Sequence, residues 1–436
     1  MSRLQSAIPS GRNARLLGAL MAALLLIVAL GAACARPAPN TAHVVIQFAD
    51  GQTHLRTISW SGELTRVQAL ELAGYAVASD AAGEAICSIA GQGCPAQDCF
   101  CPANLWAQGQ WDGEGWNGEA WPPPPVQAGD LIAFRLGGHP DYSDWGLAGH
   151  LADASGYLAA DRALEWLRSQ QGPDGGYDDG LNPVGAAVRS LLALGAAGYE
   201  PAAWGSPSLD AYLTQSAASD VVAYAESSAA ASGKLAVAVA WAGQNPASYA
   251  GLDLPALIAG TFDAATGAYG GGSGDTAWAV LGLYAAGQPI PQRVVAFFEG
   301  SQLGDGGWAW NEMQPQGEVQ HTAVVIQALL AAGAPRDGDA IARAMAFVRQ
   351  TANPDGGYPY QAPGESDLGS TAAVIQALLS VGAVGDDAEA LAAAQRYLQS
   401  QQDADGSLRA WSPLYATQEC LPALMGRTFG PLAGGQ

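Results

Sequence analysis

The chain has 436 residues, about half of them hydrophobic, which is enough for two domains and a sizeable core. Charge is sparse at 13% and its balance is −22, so nothing supplies the basic patch that a nucleic-acid or anionic-membrane partner requires. The carboxylate excess reads as a solvated extracytoplasmic surface and says nothing about a ligand.

Residues 1–34 read as an export signal rather than as fold. Arg3, Arg12 and Arg15 make a positive start, and the apolar run 16–33 ends in Leu-Gly-Ala-Ala-Cys. This end resembles a bacterial lipobox, with Cys34 as the lipidated residue that ties the chain to a membrane, although Gly31 stands where a larger aliphatic is usual. Simple cleavage beside Ala33 and an uncleaved anchor helix are the alternatives. All three place the remainder outside the cytoplasm, behind a tether at 35–42.

Residues 43–137 are expected to form a small α+β, β-grasp-like domain. Segments 43–48 and 54–60 alternate as strands about Asp50-Gly51, 63–73 has helical spacing, and 130–136 reads as a returning strand. Cys87, Cys94, Cys99 and Cys101 lack the Cys-x-x-Cys pairs of a zinc site. In an oxidising compartment they read as two disulfides, with three pairings open, and no metal is expected. Trp106, Trp111, Trp116 and Trp121 recur every five residues, which is neither a strand nor a helix period. That stretch reads as a loop whose tryptophans either pack on the sheet or, at Trp111 and Trp116, offer an aromatic surface to a flat or sugar-like ligand. Residues 138–154 read as a linker.

From 155 to 430 the chain repeats. Apolar segments end at Gly195, Gly243, Gly287, Gly333, Gly382 and Gly426, at nearly constant spacing, and a threonine recurs near the start of four of them (Thr276, Thr322, Thr371, Thr417). Each segment is apolar all round, as a helix buried on all sides must be. A more amphipathic helix is expected ahead of each, at 161–170, 209–217, 254–262, 291–302, 340–349 and 388–402. Six such pairs, alternately half-exposed and buried, fit two concentric rings, so the expected architecture is an all-α α6/α6 toroid following the small domain. Between the helices of a pair lie turns such as QQGPDGGYDDG and QLGDGGWAW, whose Asp-Gly-Gly supplies a tight reversal.

All these turns share one rim, together with the N-termini of the inner helices. The rim offers Tyr177, Tyr269, Trp308, Trp310, Tyr358, Tyr360 and Trp411 beside Asp179, Asp275, Gln320, His321, Asp367 and Gln418. Aromatic faces next to amides and carboxylates suit a large, partly polar ring system or a glycan. Singly, each aromatic reads equally well as a lock on its turn, and His321 and Asp275 as helix-start hydrogen-bonders.

The motif Gln-x-x-x-Asp-Gly-Gly-aromatic, followed by Thr-Ala and an inner helix, resembles the repeats of squalene–hopene cyclases and protein prenyltransferase β subunits. The resemblance implies the toroid. It does not carry the activities across. The stretch matching the cyclase acid is Gly272-Ser273-Gly274-Asp275-Thr276-Ala277, with glycine where the proton donor belongs, and the prenyltransferase zinc set is incomplete around Cys420 and His321. Residues 43–137 are similar to the small β-rich domain of the cobalamin carriers, in reversed order. That resemblance implies a ligand trapped where the toroid rim faces the small domain, with a corrinoid as the leading ligand and His321 as an axial ligand to cobalt. The expectation is therefore a small-molecule-binding protein with no catalytic residues. The alternatives are a terpene-cyclase- or prenyltransferase-like enzyme, a carbohydrate-active enzyme working through two rim carboxylates, and a surface adhesion or scaffold module.

Overall fold

The computed structural model describes residues 39–48, 53–95, 97–101, 104–111, 116–118, 122–137, 154–311 and 313–433. The export segment with Cys34, Trp121, and the linker up to 153 lie outside the described residues. So does the first half of the tether, whose last residues instead open the first strand.

That strand, β1 (Asn40–Gln47), pairs antiparallel with β2 (Thr53–Trp60). Helix α1 (Arg66–Leu72) follows, started by a capping box between Thr65 and Gln68. Three short strands, β3 (Val77–Ser79), β4 (Ile86–Ile89) and β5 (Gln92–Gly93), make a separate small sheet. The disulfides Cys87–Cys99 and Cys94–Cys101 staple it to the loop beyond. Then come β6 (Trp106–Trp111), β7 (Trp116–Gly118) and β8 (Leu131–Leu136). The main sheet has the order β2-β1-β8-β6-β7, with β1 and β8 parallel. The tryptophan stretch is thus a hairpin rather than a loop, with Trp111 directly across from Trp116.

Both faces of this sheet are buried, which is why β1 and β8 read as nearly unbroken apolar runs. Ile46, Ile132 and Phe134 meet Leu70 of α1. Their neighbours in sequence, Val45, Leu131 and Ala133, point the other way and join the core of the helical region, together with Leu55 and Tyr157.

The helical region begins with α2 (Ala154–Ser169) and α3 (Pro183–Ala196). The second pair is irregular: α4 (Leu209–Ala211) runs through a π turn at Tyr212–Ser216, and α5 (Ala218–Glu226) stands where the other pairs have a turn, ahead of α6 (Ala229–Trp241). Next come α7 (Leu254–Ala259) and α8 (Ser273–Ala285), then α9 (Arg293–Ser301) and α10 (Val319–Ala331). Helices α11 (Asp339–Gln350), α12 (Leu368–Val381), α13 (Asp386–Ser400) and α14 (Pro413–Leu424) complete the series. A two-residue ribbon, β9 (Tyr358–Pro359) with β10 (Ser366–Asp367), precedes α12.

The apolar helices pack in sequence order, α3 on α6, then α8, α10, α12 and α14, and α14 returns to α3. Outer helix α13 likewise reaches α2. The circle is closed, so no end-cap is needed. The closest approach joins α6 and α8, where a Cβ on Gly282 would lie 2.7 Å from the Cα of Gly233. The helix-ending glycines adopt positive φ at Gly243, Gly287, Gly333, Gly382 and Gly426; in the first pair Gly198 does so, whereas Gly195 lies inside α3.

Past α14 the chain turns into the ring. The Phe429 amide donates to Gln327 of α10 at 2.8 Å, and Gln376 of α12 donates to the Arg427 carbonyl at 2.8 Å. The Phe429 ring stacks on Trp241 at 5.3 Å and meets Trp278 edge-on at 4.9 Å. The C-terminal segment is therefore a plug across the lumen. Among the described residues no helix is long and apolar enough to cross a membrane.

Candidate functional site

The repeated turn proves to be a lock between neighbours. Asp174, Asp305 and Asp355 each accept the amide two residues on, and Gly175, Gly306, Gly356 and Gly406 all take φ near +90°. A glutamine three residues before the aspartate, not four, bonds across to the next pair: Gln171 to the Trp204 carbonyl, Gln302 to that of Ala340, and Gln402 to that of Ala159, which closes the circle. The recurring threonines Thr276, Thr322, Thr371 and Thr417 accept the amide of the residue at the aromatic position.

This lock takes four of the expected rim aromatics out of play. Tyr177, Tyr269, Trp308 and Tyr358 are at most 2% exposed. The Tyr177 hydroxyl accepts from Trp204 Nε1 at 2.7 Å, and Trp308 Nε1 donates to the Phe298 carbonyl. Burial pushes the Tyr177 hydroxyl up to about 12, so it stays a neutral packing group. Gln418 is also fully enclosed, accepting from Arg189 and donating to Ala186 and Ser190. Asp275 sits in a capping geometry, accepting the amides of Ala230 and Gly271. His321 is buried, with Nε2 3.1 Å from Ser273 Oγ. Burial, and after it the Lys234 charge, lowers it from 6.5 to about 3, leaving a neutral ring already engaged. Its Nε2 is engaged by Ser273, and the ring is enclosed among the inner helices. Trp111 and Trp116 meet edge to face at 5.6 Å and pack on the helical core.

The remaining candidates gather at the mouth. A pocket of about 530 Å³ is lined by Asp179, Asp367, Arg409 and Trp411, drawn from three separate turns, and by Tyr415 at the start of α14. Trp411 is 79% exposed. Asp367 caps α12 through the Ser370 amide at 2.7 Å and still faces solvent. Asp179 pairs with Arg189. Its burial works to raise the carboxyl, but the amides of Asn182 and Leu181 and the Arg189 guanidinium outweigh it and hold the group below the usual carboxylate range. Tyr360 is exposed, and burial of its hydroxyl followed by the nearby Glu318 raises it to about 12. Gln320 is half-buried at the start of α10.

Deeper in, the lumen holds a polar group that sequence reasoning missed. Lys234 of α6 lies 4.9 Å from the ring centre of Trp278 and 5.7 Å from that of Trp310. Trp310, 39% exposed, also tilts over His321 at 5.6 Å. Arg189 sits against Tyr415 at 4.8 Å, linking the mouth pocket to this inner cluster. Trp278 is shared: Lys234 lies against it on one side and the Phe429 plug on the other. The lumen is thus a cup, open at the turn side and floored by aromatic rings.

The sheet does not face this mouth. Leu55 donates to the Ala197 carbonyl at 3.2 Å, and Arg56 reaches the carbonyls of Ala197 and Gly198, all at the C-terminal end of α3. The expectation of a ligand held between the rim and the small domain therefore fails on geometry, because the two lie at opposite ends of the ring. The seam does leave a cleft of about 610 Å³ among His54, Tyr75, Tyr199, Trp241 and Gln244. His54 Nδ1 and Tyr75 Oη are 2.7 Å apart there. Among the described residues no group of His, Cys, Asp and Glu side chains is placed to hold a metal.

Comparison with protein-family profiles gives no match, and neither does comparison with curated proteins. The structural neighbours are ring-like helical folds. The chain is similar to a type II terpene cyclase from Scytonema in complex with geranylgeranyl dihydroxybenzoate, at 16% identity and TM-score 0.46, over 62% of this chain and 96% of that one. A glycosidase matches at 14% identity and TM-score 0.45, over 64% of this chain and 98% of that one. A protein from Actinoplanes matches at 17% identity and TM-score 0.43, over 62% and 99%. Likeness at this level concerns the ring and carries nothing about chemistry.

One compositional signal could have found the inner cluster. Lys234 is the one lysine in the whole sequence, set in an otherwise apolar inner helix. It lies in the repeat whose start is most degenerate, where the turn motif gives no guide.

Proposed function

We propose that this chain is an exported, lipid-anchored small-molecule-binding protein, built as a small β-grasp-like domain followed by a six-repeat α6/α6 toroid. Its ligand lies in the turn-side mouth of the ring. The observation that carries this reading is the convergence of Asp179, Asp367 and Trp411, from three separate turns, and Tyr415, from the start of α14, on one pocket of about 530 Å³. That size and mixture suit a ligand with an apolar or sugar-like face and a few hydroxyl or amide groups. Nothing in the site singles out a corrinoid.

The test is a thermal-shift and native mass-spectrometry panel on the purified chain with cyanocobalamin, maltotriose and geranylgeranyl diphosphate. A ligand that raises the melting temperature of the wild type, and does so no longer for Trp411→Ala and Asp367→Asn, supports the mouth. If no probe binds and the protein isolated from its own envelope retains no small molecule, the reading is wrong.

A terpene-cyclase-like enzyme is the second reading. Its support is that Trp278 and Trp310 both present their ring faces to the Lys234 amine in the lumen, an arrangement that also suits a carbocation. Against it stands Asp275, whose oxygens are taken by two backbone amides. Turnover of geranylgeranyl diphosphate in the same panel would decide for it.

A further inference from the structure

We propose that Lys234 is a reactive-amine site, taking an aldehyde or ketone on an apolar or aromatic body and holding it as an imine within the ring. The proposal deepens the reading of the mouth as a ligand site and rests on it only for the route of access.

Three observations carry it. Lys234 is the chain's one lysine, placed midway along α6 and not at a solvated end. Gly233 lets α6 press against the backbone of Trp278, since a Cβ there would lie 2.1 Å from the Trp278 carbonyl oxygen, and this contact brings the Lys234 side chain onto the indole. No hydrogen bond or ion pair ties its amine to a described residue, so the nitrogen faces the lumen between two indole faces. A surface lysine is a solvated cation. A half-buried one walled by apolar helices keeps less of its hydration shell, and that favours the neutral, nucleophilic form.

Titratable groups face the amine from four of the five other inner helices. Arg189 stands on α3, Asp275 on α8, His321 on α10 and Glu419 on α14. Loss of hydration has the largest effect on the amine. Glu419 opposes it, Arg189 adds to it, Asp275 opposes it again, and the balance lowers the group.

The step balances without an oxidant or reductant. The amine lone pair forms an N–C bond to the carbonyl carbon, and a proton passes from nitrogen to the former carbonyl oxygen. The C–O bond then breaks, the hydroxyl leaves as water with a second proton from nitrogen, and C=N remains.

The test uses the full chain at about pH 7 with cinnamaldehyde and sodium cyanoborohydride, which reduces the imine to a stable amine. Intact-mass measurement and peptide mapping give the site, and Nα-acetyllysine is the reference amine. The expected result is one saturable adduct on Lys234, formed faster than on the reference and lost in Lys234→Arg, which keeps the charge. No adduct on Lys234 in the wild type, or one formed no faster than on the reference, overturns the proposal. The wild-type mapping holds whether or not the variant folds. Failure of the mouth reading shows separately, as no thermal shift with any probe.

Discussion

The two ends of the ring are built from the same helices and have opposite characters. At the C-terminal end of the inner helices the lumen is covered: Phe429 plugs it, Gln327 and Gln376 are both engaged by the plug, and the sheet packs on the end of α3 through Leu55 and Arg56. At the N-terminal end the repeated turns lock one pair to the next but leave Trp411, Trp310 and Asp367 exposed. One ring thus carries a plugged end and an end whose rim faces solvent. The difference arises from appended segments, the tail and the sheet, and not from the repeats.

Experiments can break that contrast. The largest effect is expected at the plug. Phe429→Ala removes a ring packed between two tryptophans and should cost about 3–5 kcal/mol in urea unfolding. A change within error would mean that the tail is not part of the closed core.

Acid should come next. The folded state holds His321 at about 3, below its 6.5 when unfolded, so between those values the unfolded chain binds the extra proton. Stability is therefore fully present above about 6.5 and falls as pH drops towards about 3, by up to about 1.4 kcal/mol per unit from this group. Urea midpoints measured from neutral to acid pH should show a shallower decline for His321→Gln than for the wild type. Parallel curves would count against a buried neutral histidine.

The ring closure gives a smaller effect. Gln402→Ala removes the donor that bonds both Gly406 and Ala159 and should cost about 1–3 kcal/mol. Its neighbour Gln401, whose amide donates only to Ser400, should tolerate alanine within about 0.5 kcal/mol. Equal losses at both sites would deny the glutamine its bridging role. Least of all in stability, and most in binding, stands Trp411→Ala. At 79% exposure it should leave the unfolding curve within about 0.5 kcal/mol of wild type while abolishing a thermal shift by a mouth ligand.

The periodic features were legible from residues alone. The helix-ending glycines, the Asp-Gly-Gly turns and the threonines recur because each pair must solve the same local problem of reversal, capping and locking. Local chemistry with one solution leaves the same letters each time. The strand pattern about β1 and β2 was readable for a similar reason. The disulfide pairing was not, because three closures share one spacing and only the placement of β4 against its loop selects Cys87–Cys99 and Cys94–Cys101.

The direction of side chains on the inner helices was equally hidden. A helix apolar on every side has no polar face to mark its lumen side. On the turns, Trp308 occupies the aromatic position locked by the repeat threonine, whereas Trp310, two residues on, stays exposed. The meeting of Lys234 with Trp278, and of Arg189 with Tyr415, joins residues from helices that only ring closure makes neighbours. Sequence by itself determined that the helices come in repeated pairs with shared turns. Tertiary structure decided which end is sealed and what the open end contains, because lumen contacts depend on how six helices face one another and not on any one of them.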